Sequence, residues 1–275
     1  MPPPTSLEDA YDGFRRAVPE HRGTFGGLPW RWFEQGSGPD AVVLLPGAVG
    51  GADIFFIVFN RLAAKTRVFA VDLPDTGDAS AALAGFDALL ESRGVRSATL
   101  LGASFSGLFV QVFARRFPNR VRALVLSHTG LADPERAPRE RRSAAIAARI
   151  PPGVMRALLR LVVVLLLRRS PGKELWKRLY LASVDALTKA SMIARYHLAA
   201  SLDEMAGTGA WNGPVLVIHS NDDVVAKPAE QARLRQAFPH AAWHEFPGAG
   251  HSAYSMSPDA YAEVVAGFVS PSSSG

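Results

Sequence analysis

A chain of 275 residues, 48% of them hydrophobic, can bury a large core, and its length suits one large α/β domain with an insertion or two small domains. The chain contains no cysteine, which excludes a disulfide framework, thiolate chemistry and a zinc–thiolate site. The formal net charge is +5, and it is concentrated in residues 131–205, which carry 14 Lys and Arg against 7 Asp and Glu.

The N-terminal residues 1–9 carry no basic stretch followed by an apolar core. A secretory signal peptide has both features, so we expect a cytoplasmic protein.

Apolar strand-like runs alternate with helix-like runs along most of the chain. The strand-like runs are residues 30–35, 41–45, 67–72, 97–101, 121–127, 214–219 and 242–246. The helix-like runs are residues 86–93, 108–117, 228–238 and 258–269. This alternation predicts an α/β fold with a mostly parallel, doubly wound sheet and helices on both faces.

A small, glycine-rich turn follows the predicted strand at residues 97–101. The turn reads Gly102-Ala103-Ser104-Phe105-Ser106-Gly107 and precedes a helix-like run. A serine on a sharp strand-to-helix turn needs small neighbours, because its backbone is strained and its hydroxyl must be exposed. Ser106 stands where the usual G-x-S-x-G pattern has a second glycine. Ser104 is therefore the candidate nucleophile.

Between residues 129 and 213 the alternation stops and the sequence is helix-like throughout. Its uninterrupted apolar run, Leu161 to Leu167, is too short to span a membrane, which takes about 20 residues. We favour a helix that lines a hydrophobic pocket. Peripheral membrane contact stays open as an alternative, because Arg and Lys residues follow the run closely. Aromatic residues do not alternate with the basic ones, so we expect no nucleic-acid partner.

An acidic residue and a histidine follow the last two predicted strands. Asp223 comes after the strand at residues 214–219, and His251 follows a glycine-rich loop after the strand at residues 242–246. Functional groups in parallel α/β sheets collect at the carboxyl ends of the strands, so Ser104, Asp223 and His251 are expected to converge. Asp222 is the alternative acid beside Asp223.

These motifs together resemble the α/β-hydrolase superfamily over nearly the whole chain. The matching segments are residues 42–47, 68–74, 102–107 and 120–126, the loop at Asp223 and the loop at His251. The order Ser, Asp, His is that of the α/β-hydrolases. Residues 46–56 and the turn at Ser104 also resemble the maspardin-like branch, whose members are discussed more as binding proteins than as enzymes.

The resemblance implies a domain organisation. Residues 1–130 and 207–275 form the α/β-hydrolase core, and residues 131–206 form an inserted helical cap over the site.

The resemblance also implies a role for each site residue. Ser104 is the nucleophile, His251 the base and Asp223 the acid that orients it, because Ser220 takes the glycine position of the family's G-x-x-D loop. Asp133 is a further alternative, since some related hydrolases place the acid after the strand that follows the nucleophile. The oxyanion donors are the backbone N–H groups of Ala48 and Phe105.

A substrate pocket is assigned to residues near the strand ends and on the helical insertion. Its expected lining residues are Val49, Phe55, His128, Leu161 and Leu165. For His128 we favour a buried structural role over direct lining.

The function implied is a serine hydrolase without cofactor or metal, which cleaves a hydrophobic ester, thioester or lactone through an acyl-enzyme. The expected partner is a hydrophobic small molecule, and the sequence leaves the oligomeric state open. One alternative is a biosynthetic enzyme with C–C cleavage, perhydrolase or cyclisation chemistry on the same residues. Another is a binding or adaptor protein with little activity, which the substitution at Ser106 favours.

Overall fold

The computed structural model describes residues 6–207 and 211–269, in which eight strands form a single sheet. The strands are β1 (Glu20–Phe25), β2 (Leu28–Gln35), β3 (Asp40–Leu45), β4 (Arg67–Asp72), β5 (Ser97–Ala103), β6 (Val121–Ser127), β7 (Val215–His219) and β8 (Ala242–Glu245). Their spatial order is β1-β2-β4-β3-β5-β6-β7-β8. β2 is antiparallel to β1 and β4, and the other neighbouring pairs are parallel. The predicted mostly parallel sheet is confirmed.

Helices cover both faces of this sheet. In chain order they are α1 (Leu7–Ala17), α2 (Phe56–Ala63), α3 (Ala79–Ser92), α4 (Phe105–Arg116), α5 (Ala137–Arg149), α6 (Pro152–Leu167), α7 (Lys173–Ala186), α8 (Lys189–Met205), α9 (Pro228–Ala237), α10 (Ala253–Met256) and α11 (Pro258–Val269). Short 3₁₀ turns lie at Ala52–Phe55, Pro118–Arg120 and Pro134–Arg136.

The central strands are buried on both faces, which explains their continuous apolar sequences. In β3, Val43 and Leu45 pack into the hydrophobic cluster on one face, and Val42 and Leu44 pack into the cluster on the other. Parallel strands covered by helices on both sides have this composition. The sheet therefore forms a rigid middle layer, and its strand ends hold the loops that follow them in fixed positions.

Aromatic packing fixes α4, the helix that follows Ser104. The ring of Phe86 on α3 lies 5.5 Å from the ring of Phe109 and 4.9 Å from that of Phe113, both at steep angles. All three side chains are fully buried. Edge-to-face pairs of this kind add stability beyond the burial of their area. The start of α4, where Phe105 follows Ser104, is thus held against the sheet.

The predicted elements differ from the observed ones mainly at the N-terminal edge. β1 and α1 were not predicted, because β1 is a polar edge strand and α1 buries only Ala10 and Phe14. α3 begins at Ala79 rather than residue 86, because the Asp78 carboxylate accepts a hydrogen bond from the Ala81 N–H and caps the helix.

The segment between β6 and β7 is helical, as predicted, and is anchored on both faces of the sheet. Leu198 and Leu202 of α8 are buried in the cluster that contains Phe109, whereas Trp176 of α7 is buried in the cluster on the opposite face. α5 packs along α8, where Ala147, Met155 and Met192 form a small cluster. The predicted core segments, residues 1–130 and 207–275, contain residues 1–5, 208–210 and 270–275, which lie outside the described residues.

Candidate active site

Ser104 lies at the junction of β5 and α4 in a strained backbone conformation. Its φ is 52° and its ψ is −117°, a region that non-glycine residues rarely occupy. A Cβ on Gly102 would lie 2.6 Å from the Ser106 carbonyl oxygen, and one on Gly107 would lie 2.4 Å from the Thr129 Oγ1. Both glycines are therefore required for the turn to close, as the small-residue pattern predicts.

Ser106 has a local structural reason to replace the usual glycine. Its buried hydroxyl donates to the Leu45 carbonyl at 2.7 Å and lies 3.0 Å from the Ala103 carbonyl oxygen. Leu45 ends β3, the strand that leads into the loop at Pro46-Gly47-Ala48. The side chain therefore ties the turn at Ser104 to the end of the neighbouring strand, and the substitution leaves the turn intact.

A continuous hydrogen-bonded chain joins the three residues that follow β5, β7 and β8. The His251 Nε2 lies 2.9 Å from the Ser104 Oγ. The His251 Nδ1 lies 2.9 Å and 3.0 Å from the two carboxylate oxygens of Asp223. These distances are within hydrogen-bond reach, so a proton can pass from Ser104 to His251 without rearrangement.

The loop after β7 holds the Asp223 carboxylate in place. Its Oδ1 accepts hydrogen bonds from the backbone N–H groups of Val225 at 2.8 Å and Ala226 at 3.0 Å. Burial raises the pKa of the Asp223 carboxyl, but the hydrogen bond and charge interaction with His251 and the Val225 N–H outweigh it and leave the pKa below its usual value. Asp223 is therefore an anion at neutral pH, facing the Nδ1 of His251.

The two alternative acids have other partners. The Asp222 Oδ1 accepts a hydrogen bond from the Gly250 N–H at 2.8 Å and so shapes the loop that carries His251. Asp133 caps the 3₁₀ turn through the Glu135 N–H and pairs with Arg233. The geometry favours Asp223 as the partner of His251.

His128 is a buried neighbour of this chain. It has a φ of 49°, and its ring lies edge-on to that of His251 with centroids 6.0 Å apart. Its Nε2 lies 2.9 Å from the Ser220 Oγ, and its Nδ1 lies 3.0 Å from the Ser127 Oγ. Ser220 therefore supplies a partner for His128 from the position where the family loop has glycine. The predicted structural role of His128 agrees with these contacts, although its edge also reaches the cavity beside Ser104.

We expect His128 to make the fold sensitive to mild acid. Burial, as the main cause, and the nearby His251, as the second, lower the pKa of His128 to about 3. The unfolded chain binds this proton near pH 6.5, so between about pH 6.5 and 3 the unfolded state holds more protons. The His128 contribution to the free energy of unfolding is fully present above that window and is lost as pH falls, by about 2 kcal/mol between pH 7 and pH 5.

The variant His128→Asn tests this expectation, because asparagine tolerates a positive φ and keeps polar atoms near both serines. Urea unfolding at pH 7 and pH 5 should show a smaller loss of unfolding free energy in the variant, by about 2 kcal/mol. His197→Asn, at an exposed position, serves as the matched control. Equal pH dependence in the wild type and His128→Asn would contradict the assignment.

The two residues predicted to supply oxyanion donors lie close to Ser104. The Phe105 N–H opens α4 directly after Ser104, and Ala48 lies in the facing loop. Gly47 allows that loop to approach, since a Cβ there would lie 3.3 Å from the Ser104 Cβ. Ala48, Ser104 and Phe105 line one cavity of about 280 Å³.

Arg195 on α8 is a site residue that sequence reasoning missed. Its guanidinium donates to the Ala48 carbonyl and also to the Asp75 Oδ1, at 3.0 Å and 3.1 Å. It lines the cavity beside Ser104 and a second cavity of about 460 Å³ that borders Gly47 and Phe105. The contact spans 147 residues of sequence, so no local pattern announces it.

The structure distributes the predicted pocket residues over different places. Val49 is half-buried and packs on the core, and Phe55 is fully buried against Tyr254, 5.3 Å between ring centroids. The described cavity beside Ser104 includes apolar side chains that were not predicted: Leu108, Met192, Tyr196, Ala199 and Val225.

The two predicted leucines of α6 lie on its outer side. Leu161 is 54% exposed and lies two residues before the buried Val163, which places it on the opposite face of the helix. Leu165 is 52% exposed and borders a separate groove beside His251. Neither leucine lines the cavity beside Ser104, and Phe55 belongs to the core. The prediction was wrong for the two leucines because an apolar run does not specify which side of a helix faces inward.

Two sequence comparisons find similar proteins over most of this chain. Residues 40–258 match the family model described as the alpha/beta hydrolase fold. A pimeloyl-[acyl-carrier protein] methyl ester esterase from Chromobacterium violaceum is 27% identical over 229 residues, covering 80% of this chain and 89% of that protein.

Solved structures agree in fold. An esterase from Rhodococcus sp. superposes with a TM-score of 0.69 at 23% identity, covering 93% of this chain and 99% of that one. An epoxide hydrolase from Bacillus megaterium superposes with a TM-score of 0.73 at 15% identity, covering 90% of this chain and 99% of that one.

Proposed function

We propose, from the premise that this chain belongs to the alpha/beta hydrolase family, that it is a serine hydrolase that cleaves esters of hydrophobic small molecules. The observation that carries the proposal is the hydrogen-bonded chain from the Ser104 Oγ through His251 to Asp223. The relative from Chromobacterium violaceum, which is named as a methyl ester esterase, supports an ester as the bond that is cleaved. The further resemblance to the maspardin-like branch stays a prediction.

The first step forms the acyl-enzyme. As the Ser104 Oγ attacks the carbonyl carbon of the ester, its proton passes to the His251 Nε2. The Asp223 carboxylate fixes the Nδ1–H tautomer of His251 and stabilises the imidazolium that forms. His128, which stays neutral in this environment, adds no positive charge beside that imidazolium.

The negative oxygen of the tetrahedral intermediate would be bound by the backbone N–H groups of Ala48 and Phe105. When the intermediate collapses, the C–O bond of the ester breaks and His251 returns its proton to the departing alcohol. Water then attacks the acyl carbon with His251 as base, the carboxylic acid leaves, and Ser104 recovers its proton. Thioesters and lactones would react by the same steps.

The cavity beside Ser104 supports a hydrophobic acyl group of modest size. The cavity has a volume of about 280 Å³, and its lining includes the apolar side chains of Leu108, Met192 and Ala199. Arg136, Arg139 and Glu140 add charged groups to the same lining. Because these side chains come partly from α5 and α8, we assign residues 131–206 a cap function over the site.

Arg195 is expected to act as a positioning residue for the oxyanion loop. The variant Arg195→Met removes the bond to the Ala48 carbonyl, and we expect kcat to fall by about 10- to 100-fold with a smaller change in KM. Asp75→Asn is the matched control, since it weakens the ion pair but leaves the contact between Arg195 and Ala48. Equal losses of kcat in both variants would assign the effect to the ion pair instead.

The direct test combines covalent labelling with turnover. A fluorophosphonate probe should label the folded protein at Ser104, and p-nitrophenyl esters of graded acyl length should be hydrolysed. Absence of labelling would remove the serine hydrolase proposal. Labelling of Ser104 without turnover of any ester would reject ester cleavage and favour the non-ester chemistries.

A further inference from the structure

The outward side of α6 carries a stripe of apolar side chains that nothing covers within the described residues. Val154, Leu158, Leu161, Val162 and Leu165 are between 49% and 54% exposed. They recur at helical spacing on one side, whereas Met155, Val163 and Leu167 on the other side are buried against the protein. A surface helix normally turns its apolar stripe inward, so the arrangement of α6 marks an interaction surface.

The sequence segment that contains this stripe carries basic residues and no acidic ones. Residues 143–172 contain Arg149, Arg156, Arg160, Arg168 and Arg169 and no Asp or Glu. Arg160 is paired with Asp185 of α7. The other four arginines form no salt bridge with any residue that the structure describes. Arg168 and Arg169 follow Leu165 at the end of the stripe, whereas Arg156 lies two residues from Val154 and Leu158 and so on the other side of the helix. An apolar stripe that ends in two arginines without a salt bridge complements a surface that is both apolar and negatively charged.

We propose that this outer face of α6, together with Arg168 and Arg169 directly after the helix, docks the protein on the surface of an anionic membrane. The exposed leucines and valines would enter the boundary between headgroups and acyl chains, while the arginines meet the anionic headgroups. Among the described residues, no helix is long and apolar enough to cross a membrane. The helix would therefore lie along the surface.

The alternative occupant, a second copy of this chain, fits the charges less well. A twofold dimer on this face would bring the same patch on each copy into contact. α6 carries no acidic residue that could pair with Arg168 and Arg169 of the other copy. Like charges placed opposite one another oppose association, whereas anionic lipids neutralise them.

The proposed docking face continues to the catalytic histidine. A groove of about 140 Å³ is bordered by Leu165, Arg168, Val224 and His251. Val224, which is 70% exposed, extends the apolar surface from α6 towards the loop of Asp223. Asp222 also borders the groove, and its carboxylate is bonded to the Gly250 N–H. A docked protein would thus hold this side of the site against the lipid, where an amphiphilic ester is concentrated.

Vesicle binding tests the proposal independently of any enzyme activity. The full chain should sediment with vesicles of phosphatidylcholine and phosphatidylglycerol, less with phosphatidylcholine alone, and less with rising salt. Leu158→Ser/Leu161→Ser should weaken binding by about 100-fold, because two leucines no longer enter the lipid. Hydrolysis of a water-soluble ester by this variant should be unchanged.

A pair of charge variants provides the matched control. Arg168→Gln/Arg169→Gln should weaken binding to the anionic vesicles by about 30-fold. Lys65→Gln/Arg116→Gln removes two exposed cations outside the 143–172 segment and should bind as the wild type does. Thermal unfolding of all variants checks that they fold.

Three outcomes would overturn the proposal. The first is that the wild type does not bind anionic vesicles. The second is equal loss of binding in the two charge variants, which would indicate general attraction of a basic protein. The third is a dimer in solution that Leu158→Ser/Leu161→Ser dissociates while vesicle binding is absent, which would assign the face to a second copy of the chain.

Discussion

Ser104→Ala is expected to abolish ester hydrolysis, with kcat/KM falling by at least about 10⁴-fold. The reason is that no other hydroxyl is bonded to the Nε2 of His251, at 2.9 Å in the wild type, within the described part of the chain. Fluorophosphonate labelling should disappear together with turnover. Initial rates with a soluble p-nitrophenyl ester measure the effect.

Ser106→Ala is the matched control, because it removes a hydroxyl two residues away that bonds only to backbone carbonyls. We expect it to be labelled and to keep most of its activity. If Ser104→Ala retained the activity that Ser106→Ala lost, the nucleophile would be assigned to the wrong serine.

A stability measurement gives Ser104 a second, independent signature. The free energy of unfolding should be higher for Ser104→Gly than for Ser104→Ala by about 1–3 kcal/mol. Glycine adopts the φ of 52° and ψ of −117° found at this position without strain, whereas alanine does not. Urea unfolding of the two variants measures the difference.

Asp223→Asn is expected to lower kcat by about 10⁴-fold while leaving the fold intact. The asparagine carbonyl can keep accepting the N–H groups of Val225 and Ala226, as the Asp223 Oδ1 does. Its amide would then donate to the His251 Nδ1 and move the imidazole proton to Nε2. In that tautomer His251 has no lone pair to receive the proton of Ser104.

Asp222→Asn tests which of the two adjacent acids serves this role. Its carbonyl can keep the hydrogen bond from the Gly250 N–H, so kcat should stay within a few-fold of the wild-type value. Single-turnover measurements of acylation with both variants compare them directly. A larger loss in Asp222→Asn than in Asp223→Asn would contradict the assignment of the acid.

The sequence predicts best those parts of the fold in which a single constraint, such as burial on both faces of the sheet, decides which residues can occur. β4 and β6 coincide with their predicted bounds, because a strand buried on both faces reads as a continuous apolar run. The convergence of Ser104, Asp223 and His251 follows from the same logic, since each comes after a parallel strand. Small residues at positions 102 and 107 are equally forced by the close approach of the backbone.

What sequence missed depends on contacts between distant residues. Arg195 reaches the Ala48 carbonyl from a helix 147 residues further along, and His128 finds Ser220 across 92 residues. Leu161 was placed in the pocket because its run is apolar, yet the direction in which α6 turns its sides is decided by Val163 and Leu167. A surface helix normally turns its apolar stripe towards the core, but α6 exposes much of its stripe, so periodicity alone could not predict its orientation.

The bond from the Ser106 hydroxyl to the Leu45 carbonyl determines which substitutions this protein can accept near Ser104. That hydroxyl joins the Ser104 turn to the end of β3, directly before the Pro46-Gly47-Ala48 loop. Because the acceptor is the backbone carbonyl of Leu45, side chains in the loop after β3 can change without loss of this bond. Position 106 itself is fully buried, so a side chain larger than serine would push the Ser104 turn away from the end of β3.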